Sequence, residues 1–270
     1  MSKLLVTFSD THCGSRLGLM PETYNCIEDD TVVQGTATQK WLLQAWEALW
    51  AETTAYINGA PWSAALVGDS IEGCHHGRKE LVSHNLADHI EIFLQVVGPK
   101  LEAADKRYFV LGTHVHGGDT DEMIIAKRLR AAKHPDTGRW AENRWNLDCN
   151  GYPIVLRHHI ETTSREYLRA SALAINLANE QLAAVKRGHP CPKGFIAGHR
   201  HMHDYYTDGT NFALVCGPWQ MTTRHGHTKW SPMIPEPTIS VIDWRDRPKG
   251  SMPVVQTFKA TPGAPKYVKM

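Results

Sequence analysis

The sequence predicts an α/β protein organised around a largely parallel sheet, and three observations carry that reading. Three short apolar runs each stop at residues able to hold a metal or move a proton. Leu4–Phe8 ends at Ser9-Asp10-Thr11-His12, Ala64–Val67 at Gly68-Asp69, and Tyr108–Leu111 at Gly112-Thr113-His114. Helix-period segments separate these runs, the alternation expected of βαβ units. In such sheets functional groups collect beyond the carboxyl ends of the strands.

Each element has its own local justification. The first run starts three residues from the N-terminus and reads as a buried strand. Residues 14–35 read as irregular. Thr36 and Gln39 then form a capping box ahead of a helix whose apolar face holds Trp41, Leu42, Ala45, Trp46, Leu49 and Trp50. Those tryptophans suit either a core or a platform for stacking bases, and helical spacing favours the core. Asn58-Gly59 closes that helix. After the second strand, Leu86, Ile90, Phe93, Leu94 and Val97 mark another helix. Lys127-Arg128-x-Arg130 reads as the solvated face of a third.

The second half changes character. Trp145–Cys149 and Tyr152–Leu156 flank Asn150-Gly151, a hairpin turn sequence. An Ala- and Leu-rich helix should run from a Thr163/Glu166 capping box to about Arg187, with Gly188 as its C-cap. Phe195–Ala197 is a short strand ending in Gly198-His199-Arg200-His201. A second hairpin joins His203–Thr207 to Asn211–Cys216 through Asp208-Gly209, and Thr238–Trp244 with Val254–Phe258 reads as a final antiparallel pair. Residues 218–237 and the tail after 260 read as loop.

Composition bounds the function. With 42% apolar and 21% charged residues over 270 positions, the chain has the profile of a soluble globular protein able to bury a core unaided. No composition shift marks a boundary, so a single domain over 1–270 is expected. Twenty-nine basic against 28 acidic residues give a net charge of +1, which argues against gripping nucleic acid through bulk electrostatics. Six cysteines without a C-x-x-C pair, and no signal or membrane segment, read as reduced thiols in a cytoplasmic protein that engages no membrane. The unusual figure is 16 histidines, which points to metal binding or proton transfer.

The strand ends collect Asp10, His12, Asp69, His114, His158, His199 and His201. Mixed carboxylate and imidazole donors select transition ions such as Mn, Fe or Zn over Ca. A shared carboxylate such as Asp69 can bridge two ions that together lower the pKa of a bridging water, yield a metal-bound hydroxide and clamp a phosphate. A histidine outside the ligand set can then protonate the leaving oxygen. Read singly, each block has a plain structural alternative: an Asp turn, a helix cap or an exposed histidine pair. Their joint order is what favours a metal site.

In that order the blocks resemble the calcineurin-like metallophosphoesterase superfamily, whose signature runs D-x-H, G-D-x-x-[DE], G-N-H-[DE], a lone His after a strand, and G-H-x-H. The matching residues are Asp10-Thr11-His12, Gly68-Asp69-Ser70-Ile71-Glu72, Gly112-Thr113-His114-Val115, His158 or His159, and Gly198-His199-Arg200-His201. The resemblance covers residues 4 to about 216. It implies a four-layer α/β/β/α sandwich with two mixed sheets and a dinuclear centre, manganese favoured. One ion would lie on Asp10, His12, Asp69 and His201, and the other on Asp69, Thr113, His158 and His199, with His158 preferred to His159. His114 would be the catalytic acid.

The departure from the family pattern is Thr113 in place of Asn, with Val115 in place of the usual acidic residue. A Thr hydroxyl is a weaker and shorter donor than an Asn amide oxygen. Weak ligation, a substituting water and a low-affinity second site all stay open, and His116 is set aside as a replacement. The implied activity is phosphoester hydrolysis, with a diester favoured over a monoester. Glu72-Gly73 and Val115 disfavour a protein phosphatase. Alternatives are an exonuclease of the same family, or a degenerate member that binds metal or nucleic acid with little turnover. The compact length and abundant Trp and His also resemble bacteriophage- and prophage-encoded members. The expected partner is a phosphoester, with nucleotides and nucleic acid among the candidates. Of the remaining histidines, His75-His76 reads as a candidate for lining the pocket and the Arg224-His225-Gly226-His227 loop segment as a candidate for a substrate-phosphate role.

Overall fold

The structure is a computed structural model and describes residues 2–74, 80–160, 168–223 and 235–263. Its strands form two facing mixed sheets. The first holds β1 (Leu4–Phe8), β4 (Ser63–Val67), β5 (Lys106–Val110), β6 (Ala141–Glu142), β12 (Thr238–Asp243) and β13 (Val254–Lys259), in the order β13-β12-β1-β4-β5-β6. β1, β4, β5 and β6 run parallel, while β12 and β13 are antiparallel additions. The second holds β7 (Arg144–Cys149), β8 (Tyr152–Arg157), β9 (Gly194–Ala197), β10 (Asp204–Thr207) and β11 (Phe212–Val215), in the order β10-β11-β9-β8-β7. Its centre, β8-β9-β11, is parallel, and both edge strands are antiparallel.

Alternation along the strands builds four layers. In β1, Leu4, Val6 and Phe8 face a helix-side core, whereas Leu5 joins Ala65, Val67, Val110 and Ile242 between the sheets. The second sheet answers with Ile154, Leu156, Ile196, Phe212 and Leu214. Period-two side chains thus feed two cores from one strand, which is why β1 and β4 read as mostly apolar runs with Thr7 and Ser63 as their polar members. Helices α1 (Ala37–Ile57), α2 (Leu86–Val96), α3 (Gly98–Leu101) and α4 (Gly118–Arg128) lie against the outer face of the first sheet. Helix α5 (Arg169–Lys186) covers the second through Leu173 and Leu177. This is the α/β/β/α sandwich that the sequence resemblance implies.

The α1 boundaries follow its caps. Thr36 Oγ1 accepts from the Gln39 amide while the Gln39 side chain accepts from the Thr36 amide, and Asn58 closes the helix in a left-handed conformation. Trp46 and Trp50 are core, and Trp41 packs half-buried against it. Trp46 is fully buried, with ring centroids 5.2 Å from Phe8 and 4.7 Å from Trp219. That removes them as a stacking platform. No helix among the described residues is long and apolar enough to cross a membrane, and all six thiols are unpaired.

The stretch 14–35 is not wholly irregular. β2 (Thr23–Asn25) and β3 (Val32–Gln34) pair as a small antiparallel ribbon. Three-residue strands leave no readable alternation, and the anchor is distant in sequence. Asp88 on α2 accepts from Tyr24 Oη at 2.9 Å and from the Ile27 amide at 2.8 Å. The Thr163/Glu166 box lies outside the described residues.

Candidate metal centre

The carboxyl ends of β1, β4 and β5 in one sheet, and of β8 and β9 in the other, converge on one buried cluster. The chain enters it through strained backbone. Asp10, His12, Asp69, His199 and His201 have φ of 54°, 43°, 51°, 72° and 52°, all in the left-handed region. Such conformations cost on the order of 1–3 kcal/mol each for non-glycine residues and gather at functional sites. The turns are bonded to one another: the Asp10 amide donates to the Gly68 carbonyl at 3.0 Å, the His12 amide to that of Asp69 at 3.1 Å, and the Trp219 amide to that of Asp10 at 2.9 Å. Gly68 (φ 84°) must be glycine, because a Cβ there would lie 2.4 Å from His158 Nδ1.

The donors fall into overlapping groups whose ligand atoms lie within 4.8 Å of one another: Asp10, His12 and His201; Asp10, Asp69 and His158; His12, Asp69 and His116; His158, His159 and His199. Asp10, His12, Asp69 and His158 each occur in two of them. Asp69 Oδ1 accepts from the Thr113 amide at 2.6 Å, and its Oδ2 lies 3.0 Å from His158 Nε2 and 3.8 Å from His12 Nε2. Thr113 Oγ1 sits 3.2 Å from Asp69 Oδ2 and 3.3 Å from both His158 Nε2 and His199 Nδ1. The hydroxyl therefore stands among the donors of the second implied ion. On the other side, His201 Nε2 is 3.4 Å from Asp10 Oδ1 and 3.1 Å from His12 Nε2.

Outer partners orient these rings. His12 Nδ1 is 2.8 Å from Glu72 Oε2, which also accepts from Gln220 Nε2 at 2.7 Å. His158 Nδ1 donates to the Val67 carbonyl at 2.6 Å. Pinning one ring nitrogen on a carboxylate or carbonyl aims the other into the site, an arrangement typical of metal-ligating histidines. Buried carboxylates, converging Nε2 atoms and anchored Nδ1 atoms together fit divalent ions.

Electrostatics agree with that fit. Burial opposes charge on every member, yet the ions of opposite sign prevail. Asp10, Glu72 and Asp69 hold His12 up at about 10, and Asp69 and Asp10 hold His158 up at about 9. The facing imidazoles hold Asp10 down at about 2 and Asp69 well below the usual carboxylate range. Burial pushes His201 down to about 4, with the cation on His12 adding to it. Burial likewise lowers His116, His159 and His199.

The structure brings Asp10, His12, Asp69, Thr113, His158, His199 and His201 together. His158 is buried inside the cluster, and His159 stands exposed beside it, ring centroids 5.0 Å apart. His114 is exposed and belongs to none of the four groups. The inward histidine of its turn is His116, edge-on to His12 at 4.6 Å, with Nδ1 donating to the Glu72 carbonyl at 3.0 Å. The turn through residues 113–116, closed by the His116 amide on the Thr113 carbonyl, points the second histidine of His114-Val115-His116 inward. Gln220 and Glu122 also escape a sequence reading, since each reaches the site from elsewhere in the chain. Burial pushes the Glu122 carboxyl up to about 7. His75-His76 and residues 224–227 lie outside the described residues.

No protein-family model and no curated protein matches the chain. Solved structures do. An archaeal phosphodiesterase aligns over 95% of this chain and 99% of its own, at 11% identity and a TM-score of 0.45. Vps29 from Entamoeba histolytica, complexed with Zn²⁺, aligns over 95% and 98% at 14% identity and a TM-score of 0.37. A predicted phosphoesterase from Streptococcus pneumoniae aligns over 95% and 97% at 11% identity and a TM-score of 0.35. The likeness is one of fold.

Proposed function

We propose that this chain is a metal-dependent phosphoester hydrolase with a dinuclear centre, acting on diesters in preference to monoesters. The observation that carries the reading is Asp69, a buried carboxylate that shares one donor group with Asp10 and His158 and another with His12 and His116. Asp10, His12, Asp69 and His201 would hold one divalent ion, and Asp69, Thr113, His158 and His199 the other. Bound there, the pair supplies Lewis-acid activation of water and charge neutralisation at the phosphoryl group.

The chain's own residues do the rest. Glu72 and Gln220 fix the His12 ring, and the Val67 carbonyl fixes His158. His116, with Nδ1 on a carbonyl, would pass a proton to a departing oxygen through Nε2, a role the family resemblance implies for His114. Replacing His116 with Ala is expected to lower kcat by about 10²–10⁴-fold, the range of a general acid, and replacing His114 by less than tenfold. The reverse order in steady-state kinetics returns the role to His114.

The test of the function is turnover of bis-p-nitrophenyl phosphate against p-nitrophenyl phosphate with Mn²⁺, Fe²⁺, Ni²⁺ or Zn²⁺. Faster diester hydrolysis with at least one ion supports the reading, and no turnover of either ester with any of them ends it. Thr113 favours one second reading, a centre that binds metal but turns over slowly. A large rate gain in Thr113→Asn would establish it.

A further inference from the structure

The geometry points to Glu122 as a positioning residue that sets the distance between Asp69 and Thr113 by clamping the two loops that carry them. Glu122 lies on α4, away from every motif block, and is 4% exposed. Its Oε1 accepts from the Ser70 amide at 3.0 Å and its Oε2 from the Gly112 amide at 2.5 Å. Ser70 follows Asp69 and Gly112 precedes Thr113, so one carboxylate joins the ends of β4 and β5 one residue away from each ligand. Both oxygens are used, and both donors are backbone groups that side-chain motion cannot withdraw.

The loops it joins are already as close as backbone permits. A Cβ on Gly112 would lie 2.2 Å from both the Asp69 amide nitrogen and Asp69 Oδ1. Across that contact Asp69 Oδ1 takes the Thr113 amide. A Thr hydroxyl reaches less far than an Asn amide oxygen, so its use as a ligand depends on the loop being held close. A carboxyl group whose two oxygens each accept an N–H bond from a different loop does that. The inference rests on the dinuclear reading for its catalytic meaning, but the clamp itself is a property of the metal-free chain.

The test uses the full chain with Glu122→Gln and Glu122→Leu. The amide of Gln is near in shape but offers one acceptor and one donor, so it satisfies one N–H and opposes the other. In the metal-free protein, amide exchange at Ser70 and Gly112 is expected to accelerate at least about tenfold in both variants, with the other amides of β4 and β5 unchanged. In Mn²⁺ titrations of Glu122→Gln, affinity at the Asp69–Thr113 side is expected to fall about 10–100-fold, the usual cost of losing an outer-shell partner. Uptake at the Asp10–His12–Asp69–His201 side should fall by less, because Asp69 is its one ligand beside a clamped amide.

Unchanged exchange at Ser70 and Gly112, or acceleration spread evenly over both strands with a matching fall in Tm, overturns the clamp. Equal loss at both ion sites does the same. If the unaltered protein takes up one ion only, the dinuclear reading fails and the clamp stands or falls on the exchange data alone.

Discussion

Asp69→Asn is expected to cut phosphoester turnover by more than about 100-fold, beyond the usual cost of losing an outer-shell partner, and to reduce uptake from two ions to at most one. Asn keeps the shape of Asp69 but removes the charge that His158 Nε2 faces at 3.0 Å and His12 Nε2 at 3.8 Å. It also sets an NH₂ group against one of its neighbours: the Thr113 amide at Oδ1, or the imidazoles at Oδ2. The same variant should lower the pKa values of both histidines, which ¹⁵N-edited NMR of the rings reads directly. Elemental analysis and bis-p-nitrophenyl phosphate kinetics check the first two effects. A variant that keeps two ions and its rate would show that Asp69 does not bridge them.

The second large effect is a steep pH dependence of metal uptake. In the metal-free protein His12 and His158 are raised to about 10 and about 9, so both carry protons at pH 7. His201 is lowered to about 4, and burial also lowers His199, so neither releases a proton at that pH. An ion needs neutral imidazole, so filling both sites should release about two protons. The overall binding constant should therefore rise about 100-fold per pH unit between 7 and 8, and the slope should lessen as the pH passes 9 and then 10. Calorimetric titration in buffers of differing ionisation enthalpy counts those protons. A count near zero at pH 7 would mean that His12 and His158 are not held as cations.

Much of this fold was legible because its signals are local. The capping box at Thr36 and Gln39, the left-handed stop at Asn58, the Asn150-Gly151 hairpin and the apolar runs of β1 and β4 each carry their instruction within a few residues. The motif blocks were legible as a series, since strand ends in a parallel sheet are brought to one edge whatever lies between them. What escaped is what depends on tertiary contact. The β2–β3 ribbon is too short to show alternation and is tied down by Asp88 from a helix more than fifty residues on. The inward turn of His116 rather than His114 depends on the path of one tight turn. Glu122 and Gln220 reach the site from α4 and from the loop after β11, and nothing beside them in sequence announces it.

In the proposed centre Asp69 would bridge two ions. Crystals grown with Mn²⁺, measured on both sides of the manganese absorption edge, test it directly. The expected result is two anomalous peaks about 3.5–4 Å apart, one against Asp10, His12 and His201, the other against Thr113, His158 and His199, with the Asp69 carboxylate between them. A single peak, or two peaks neither of which touches Asp69, would contradict it.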